Sequence, residues 1–109
     1  MALTRSFRET VVRHVKEDPA FRAALIEEAY RNILDGDRPT ALGQMRAVVN
    51  ATIGFDALAG RTGVRKTSLM RMLSANGNPR AENLLAILKA IGESTGVRVT
   101  VHAEALSVA

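Results

Sequence analysis

Residues 58–73 read "LAGRTGVRKTSLMRML", and apolar residues recur through this stretch at the spacing of a helix. Gly63 interrupts the pattern near its middle, and glycine readily adopts the positive φ angle that other residues avoid. The stretch therefore predicts two short helices, at residues 55–61 and 65–73, joined by a tight turn. The small side chain of Ala59 would let the second helix pack closely across the first.

The second of these helices has two chemically different faces. Its spacing directs Val64, Leu69 and Met72 toward a core, while Met70 suits either a partly buried position or a contact with a thymine methyl group. The remaining side chains donate hydrogen bonds to phosphates and to guanine edges in the major groove of DNA. They are expected on the outer face: Arg65, Lys66, Thr67, Ser68 and Arg71. The pattern predicts a DNA-binding helix-turn-helix.

Positive charge is concentrated around the same stretch. The chain has 109 residues, enough for one domain, and carries 15 Lys and Arg against 11 Asp and Glu, a net charge of +4. Residues 54–73 contain four basic side chains and one acid, Asp56, whereas seven acids precede residue 40. This distribution is typical of a nucleic-acid interface, and a merely solvated helix face is the alternative.

Other function classes find little support in the residues present. The chain has no cysteine, which excludes disulfides and thiol nucleophiles, and His14 and His102 lie far apart without metal-ligand spacing. Ser68 lies in no nucleophile elbow. We therefore expect no enzyme activity, no cofactor and no metal. No apolar run reaches the roughly 20 residues of a membrane span, and the expected location is the cytoplasm.

The rest of the chain predicts further helices and one strand. Helical spacing recurs at residues 4–16, 19–34, 40–53 and 81–93. Thr4 and Asp18 are candidate caps for the first two helices. Residues 97–102, "VRVTVH", alternate strictly and predict a single β-strand. The expected fold is all-α, with a helical extension at residues 1–36 and a helix-turn-helix domain with a C-terminal strand at residues 37–109.

A resemblance extends this interpretation. Residues 55–92, "FDALAGRTGVRKTSLMRMLSANGNPRAENLLAILKAIG", resemble the Cro/repressor-type (XRE) helix-turn-helix family, which has a lambda-repressor-like fold. The shared positions are Leu58–Ala59, Thr62–Gly63–Val64, Leu69, Met72 and Asn78–Pro79. More narrowly, "LSANGNPRAENLLAILKAIG" followed by "VRVTV" is similar to the antidote branch of HigA-type toxin–antitoxin modules.

The resemblance implies a transcriptional regulator that binds a palindromic operator as a homodimer. In the antidote branch it implies an antitoxin that represses its own operon and neutralises a toxin nuclease. Asn76, Asn78 and Arg80 then become candidate contacts to the DNA backbone, although the two asparagines could equally be simple turn formers.

Two positions depart from the family pattern. Arg65 stands where the family commonly has a capping serine or threonine, and Arg80 stands where it frequently has a serine after the Asn-Pro pair. Each lost cap costs its helix about 1 kcal/mol. An arginine at a helix start would instead favour a bound phosphate.

Three questions remain open from the sequence alone: the function of the chain, the role of its N-terminal helices and the element that forms the dimer. The chain could be a repressor without a toxin, or a protein-interaction module that does not bind DNA. The N-terminal helices could pack on the DNA-binding domain, form a dimer, or present acids to a basic toxin. The predicted strand at residues 97–102 could form the dimer instead, by antiparallel pairing across a two-fold axis.

Overall fold

The computed structural model describes residues 5–107 and contains six α-helices in that range. They are α1 (Arg5–Glu17), α2 (Pro19–Leu34), α3 (Arg38–Ala51), α4 (Gly54–Thr62), α5 (Lys66–Met72) and α6 (Ala81–Thr95). The predicted all-helical architecture is confirmed for these residues. The cap predicted at Thr4 lies outside the described part of the chain.

Local sequence explains where α2 and α3 begin. The carboxylate of Asp18 accepts hydrogen bonds from the backbone N–H groups of Ala20 (3.0 Å) and Phe21 (3.2 Å), which confirms the predicted cap. Asp37 caps α3 in the same way, accepting from the N–H of Thr40 at 3.4 Å. Helix α3 begins at Arg38 rather than at the predicted residue 40. The earlier start is possible because proline is tolerated in the first turn of a helix, where Pro39 lies.

One continuous core contains buried residues from all six helices, and Leu69 is the buried residue that α5 contributes. Helices α1, α2 and α3 pack on one another, α3 also contacts α4, and α4 packs against α5 and α6. Val15 and Ile26 from the N-terminal helices belong to the same buried cluster as Leu58, Leu69 and Ile87. The N-terminal helices thus bury much of their apolar surface on the rest of the chain, although Phe7 and Leu34 remain exposed. The domain boundary predicted after residue 36 falls in the turn between α2 and α3.

The strand predicted at residues 97–102 is wrong, because residues 97–107 have no regular secondary structure. After α6, the N–H of Val97 bonds to the carbonyl of Gly92 at 3.1 Å and the chain turns back. Val97 and Val99 pack against the core, whereas Val101 is 81% exposed. A strand needs a second backbone edge, and no strand exists within residues 5–107 to provide one. The first two valines of the alternation, Val97 and Val99, are accounted for by packing on the core rather than by strand pairing.

The turn between α4 and α5 depends on Gly63, which has the predicted left-handed conformation at φ +73°. Its N–H bonds to the carbonyl of Ala59 at 2.9 Å and so closes the end of α4. The hydroxyl of Thr62 donates to the carbonyl of Leu58 at 2.9 Å and accepts from the N–H of Val64 at 3.3 Å. These bonds fix the direction in which the chain enters α5.

The Gly63 turn is tested by comparing two exposed glycines that differ in backbone conformation. A methyl group added at Gly63 or at Gly60 would meet no atom within 4 Å, so neither substitution causes a clash. Gly63→Ala should lower the free energy of unfolding by about 1–2 kcal/mol, because alanine is strained at positive φ. Gly60→Ala, within α4, should raise it by about 0.5–1 kcal/mol. Urea unfolding measures both, and equal effects would contradict the assigned turn.

Candidate nucleic-acid interface

Helix α5 buries one face, as its spacing predicts. Leu69 is fully buried, and so is Leu73, which directly follows the helix. Val64 and Met72 are partly buried against the same core. These contacts fix the rotation of α5 about its axis, and with it the side chains that point away from the protein.

The opposite face of α5 carries most of the residues predicted to bind DNA. Arg65, Lys66, Thr67 and Arg71 are exposed, while Ser68 is half-buried at the edge of the face. Met70 is 48% exposed and lies outside the core cluster of the described residues. The exposed side chains thus form a strip with basic, hydroxyl and thioether groups along one short helix.

The starts of α5 and α6 have no side-chain cap. Arg65 precedes α5 and Arg80 precedes α6, and neither side chain makes a capping hydrogen bond in the described structure. Both side chains are exposed. Each arginine therefore stands at a helix start, where the backbone N–H groups attract anions.

Lys66 has an ion-pair partner that the sequence does not reveal. Its Nζ lies 3.2 Å from Oδ1 of Asp56, on the preceding helix. Both side chains are at least half exposed, and such surface pairs contribute only about 0–1 kcal/mol. A phosphate can therefore displace the carboxylate at little cost. No local pattern predicts the pair, because its two members lie on different helices.

The turn after α5 closes tightly over the end of that helix. A Cβ atom on Gly77 would lie 2.0 Å from the carbonyl oxygen of Met72, so only glycine allows this approach. The hydroxyl of Ser74 donates to the carbonyl of Arg71 at 2.7 Å. The exposed Asn76 precedes Gly77 in the chain. The sequence predicts a turn here from composition, but it does not reveal the close backbone contact.

Two arginines of α3 donate hydrogen bonds to the end of α5 and to the loop that follows it. The Arg46 guanidinium donates to the carbonyl of Leu73, which is the C-cap of α5. The Arg38 guanidinium donates to Oδ1 of Asn78 at 3.4 Å. The partners are 27 and 40 residues apart in sequence, so no periodicity could have predicted them. The side-chain oxygen of Asn78 therefore already has a hydrogen-bond partner within the protein.

The segment from α4 to the start of α6, residues 54–80, carries a net positive charge. Between residues 54 and 80 the sequence has five basic side chains and a single acid, Asp56. Arg61 forms an ion pair with Glu93, with Nη1 of the arginine 3.8 Å from Oε1 of the glutamate. Within residues 5–107, the exposed side chains of Arg65, Arg71 and Arg80 have no ion pair. These three cations remain available to an anionic ligand.

Within the described residues, two other kinds of site are absent. No group of three or more His, Cys, Asp or Glu residues could hold a metal ion. None of the helices within residues 5–107 combines the length and apolar character that crossing a bilayer requires.

Comparisons with protein-family models, curated proteins and solved structures found no match to this chain.

The close approach at Gly77 generates a stability prediction. Gly77→Ala would place a methyl group against the backbone of Met72, so the turn must shift, and we expect a loss of about 1–3 kcal/mol. Gly43→Ala in α3 is the matched control, because a Cβ there would meet nothing within 4 Å. Thermal unfolding followed by circular dichroism measures both. A Gly77→Ala protein as stable as the Gly43→Ala protein would contradict the close approach.

Proposed function

We propose that this chain binds double-stranded DNA as a sequence-specific transcriptional regulator, with α5 as the recognition helix. The observation that carries the proposal is the two-sided character of α5. Leu69 and Leu73 anchor it in the core, while Arg65, Lys66 and Arg71 lie on its outer face or at its start. Such a surface is complementary to a polyanion.

The dimensions of α5 also suit the major groove. An α-helix with its side chains is about 10–12 Å across, and the major groove is about 12 Å wide, so the exposed face of α5 can lie within it. Its outer face carries Thr67 and Arg71, which suit contacts to base edges. Arg65 and Arg80 suit phosphates, because each stands at a helix start. Asn76 in the intervening turn is a further candidate for a backbone contact.

Lys66 would change partner on binding. In the free protein its ammonium group is paired with Asp56, and in the complex a phosphate would take the place of that carboxylate. The exchange is inexpensive because exposed ion pairs are weak. Asp56 would also oppose DNA binding whenever Lys66 remained paired with it.

The proposal extends to the biological role that the family resemblance implies. A homodimer would place two recognition helices on a palindromic operator, with half-sites about 34 Å apart. The chain would act as an antitoxin that represses its own operon and neutralises a toxin nuclease. This extension is supported by the resemblance alone. Its test is whether the product of the adjacent reading frame co-purifies with this chain.

The DNA-binding proposal predicts a strong dependence of affinity on salt. Fluorescence anisotropy with a duplex from upstream of the protein's own gene would measure the affinity at several salt concentrations. If Arg65, Lys66 and Arg80 each neutralise one phosphate, log K should fall with log salt with a slope of about −2.7 per subunit. A module that binds protein rather than DNA would give no binding, or binding that does not respond to salt.

Substitution of the outer face sharpens the same test. Arg71→Ala and Lys66→Ala should each weaken binding about tenfold or more without unfolding the protein, because both side chains are exposed. Arg13→Ala is the control, since it removes an exposed arginine from α1, which packs on α2 and α3. Equal affinities for all three variants would exclude α5 as the recognition helix.

A further inference from the structure

One apolar side chain breaks the polar character of the proposed DNA-binding face. Met70 is 48% exposed, and it is the one large apolar residue so exposed between residues 54 and 80. The other large apolar residues of that range are buried or partly buried: Phe55, Leu58, Val64, Leu69, Met72 and Leu73. Met70 is therefore not needed to hold α5 on the core.

The neighbours of Met70 indicate what kind of ligand would cover it. Lys66 and Thr67 precede it by four and three residues, so they lie beside it on the same face of α5. Arg71 follows directly and is also exposed. An apolar partner alone would leave these cations desolvated without a counter-charge. A matching ligand must combine negative charge with a small apolar group.

The major groove of DNA has this combination. Thymine presents its 5-methyl group on the floor of the groove, between two lines of phosphates, and it is the apolar group through which a base pair is recognised there. The thioether of methionine is flexible and polarisable, so it can follow a methyl group without strict geometry.

We propose that Met70 contacts thymine 5-methyl groups and makes the protein prefer DNA with thymine at the contacted position. This inference rests on the proposed function and adds a base preference to it. The contact distinguishes thymine from uracil, which differs from it only by that methyl group. Burying one methyl group contributes a factor of about three to four in affinity.

The experiment needs no knowledge of the operator sequence. The duplex from upstream of the gene is prepared twice by enzymatic synthesis, once with thymidine and once with deoxyuridine at every thymine position. Dissociation constants for both duplexes are measured by fluorescence anisotropy with the wild type, Met70→Gln and Leu85→Gln. Leu85 is the control because it is 65% exposed but lies on α6. Circular dichroism establishes that both variants are folded.

We expect the wild type and Leu85→Gln to bind the thymidine duplex more tightly, with the same preference. The preference should be at least threefold smaller in Met70→Gln, because glutamine does not replace the apolar contact. Dividing one preference by the other cancels any effect of deoxyuridine on the shape of the duplex.

Two results would overturn the inference while leaving DNA binding intact. One is an unchanged preference in Met70→Gln, and the other is a loss of preference in Leu85→Gln as large as that in Met70→Gln. A wild type that bound neither duplex would instead contradict the proposed function, and the inference with it.

Discussion

Burial of Leu69 and Leu73 is the interaction on which the candidate site depends. Helix α5 has seven residues, well below the roughly 12–15 at which an isolated helix becomes even marginally stable in water. Each fully buried leucine contributes about 1.5–3 kcal/mol relative to exposure, so packing rather than propensity holds the helix. The outer face is thereby free to carry charge. Gly63 and Gly77 at the two ends then determine where that face points.

The same arrangement explains the unusual helix starts. Arg65 and Arg80 occupy positions where a serine or threonine would add about 1 kcal/mol through capping. The structure tolerates both losses because the core holds α5 and α6 in place. Under the proposed function, the two guanidinium groups contribute phosphate contacts instead. Asp56 has the opposite effect, because it pairs with Lys66 and reduces the positive charge of the free protein.

Local patterns predict much of this fold, and contacts distant in sequence account for what they miss. Helical spacing identifies all six helices, and the need for positive φ identifies Gly63, since both depend on neighbouring residues. The alternation at residues 97–102 fails as a predictor because a strand requires a partner that the alternation does not specify. The hydrogen bond from Arg46 to Leu73 arises only when segments 27 residues apart meet. The approach of Gly77 to Met72 is local, but it depends on a turn geometry that composition alone does not specify.

Under the proposed function, α5 and its flanking turns form the surface that binds DNA. Amide chemical shifts, recorded by NMR during titration with the upstream duplex, test it residue by residue. We expect the largest shift changes at residues 62–80, with small changes in α1 and α2. Large changes confined to α1 and α2, with α5 unaffected, would contradict it.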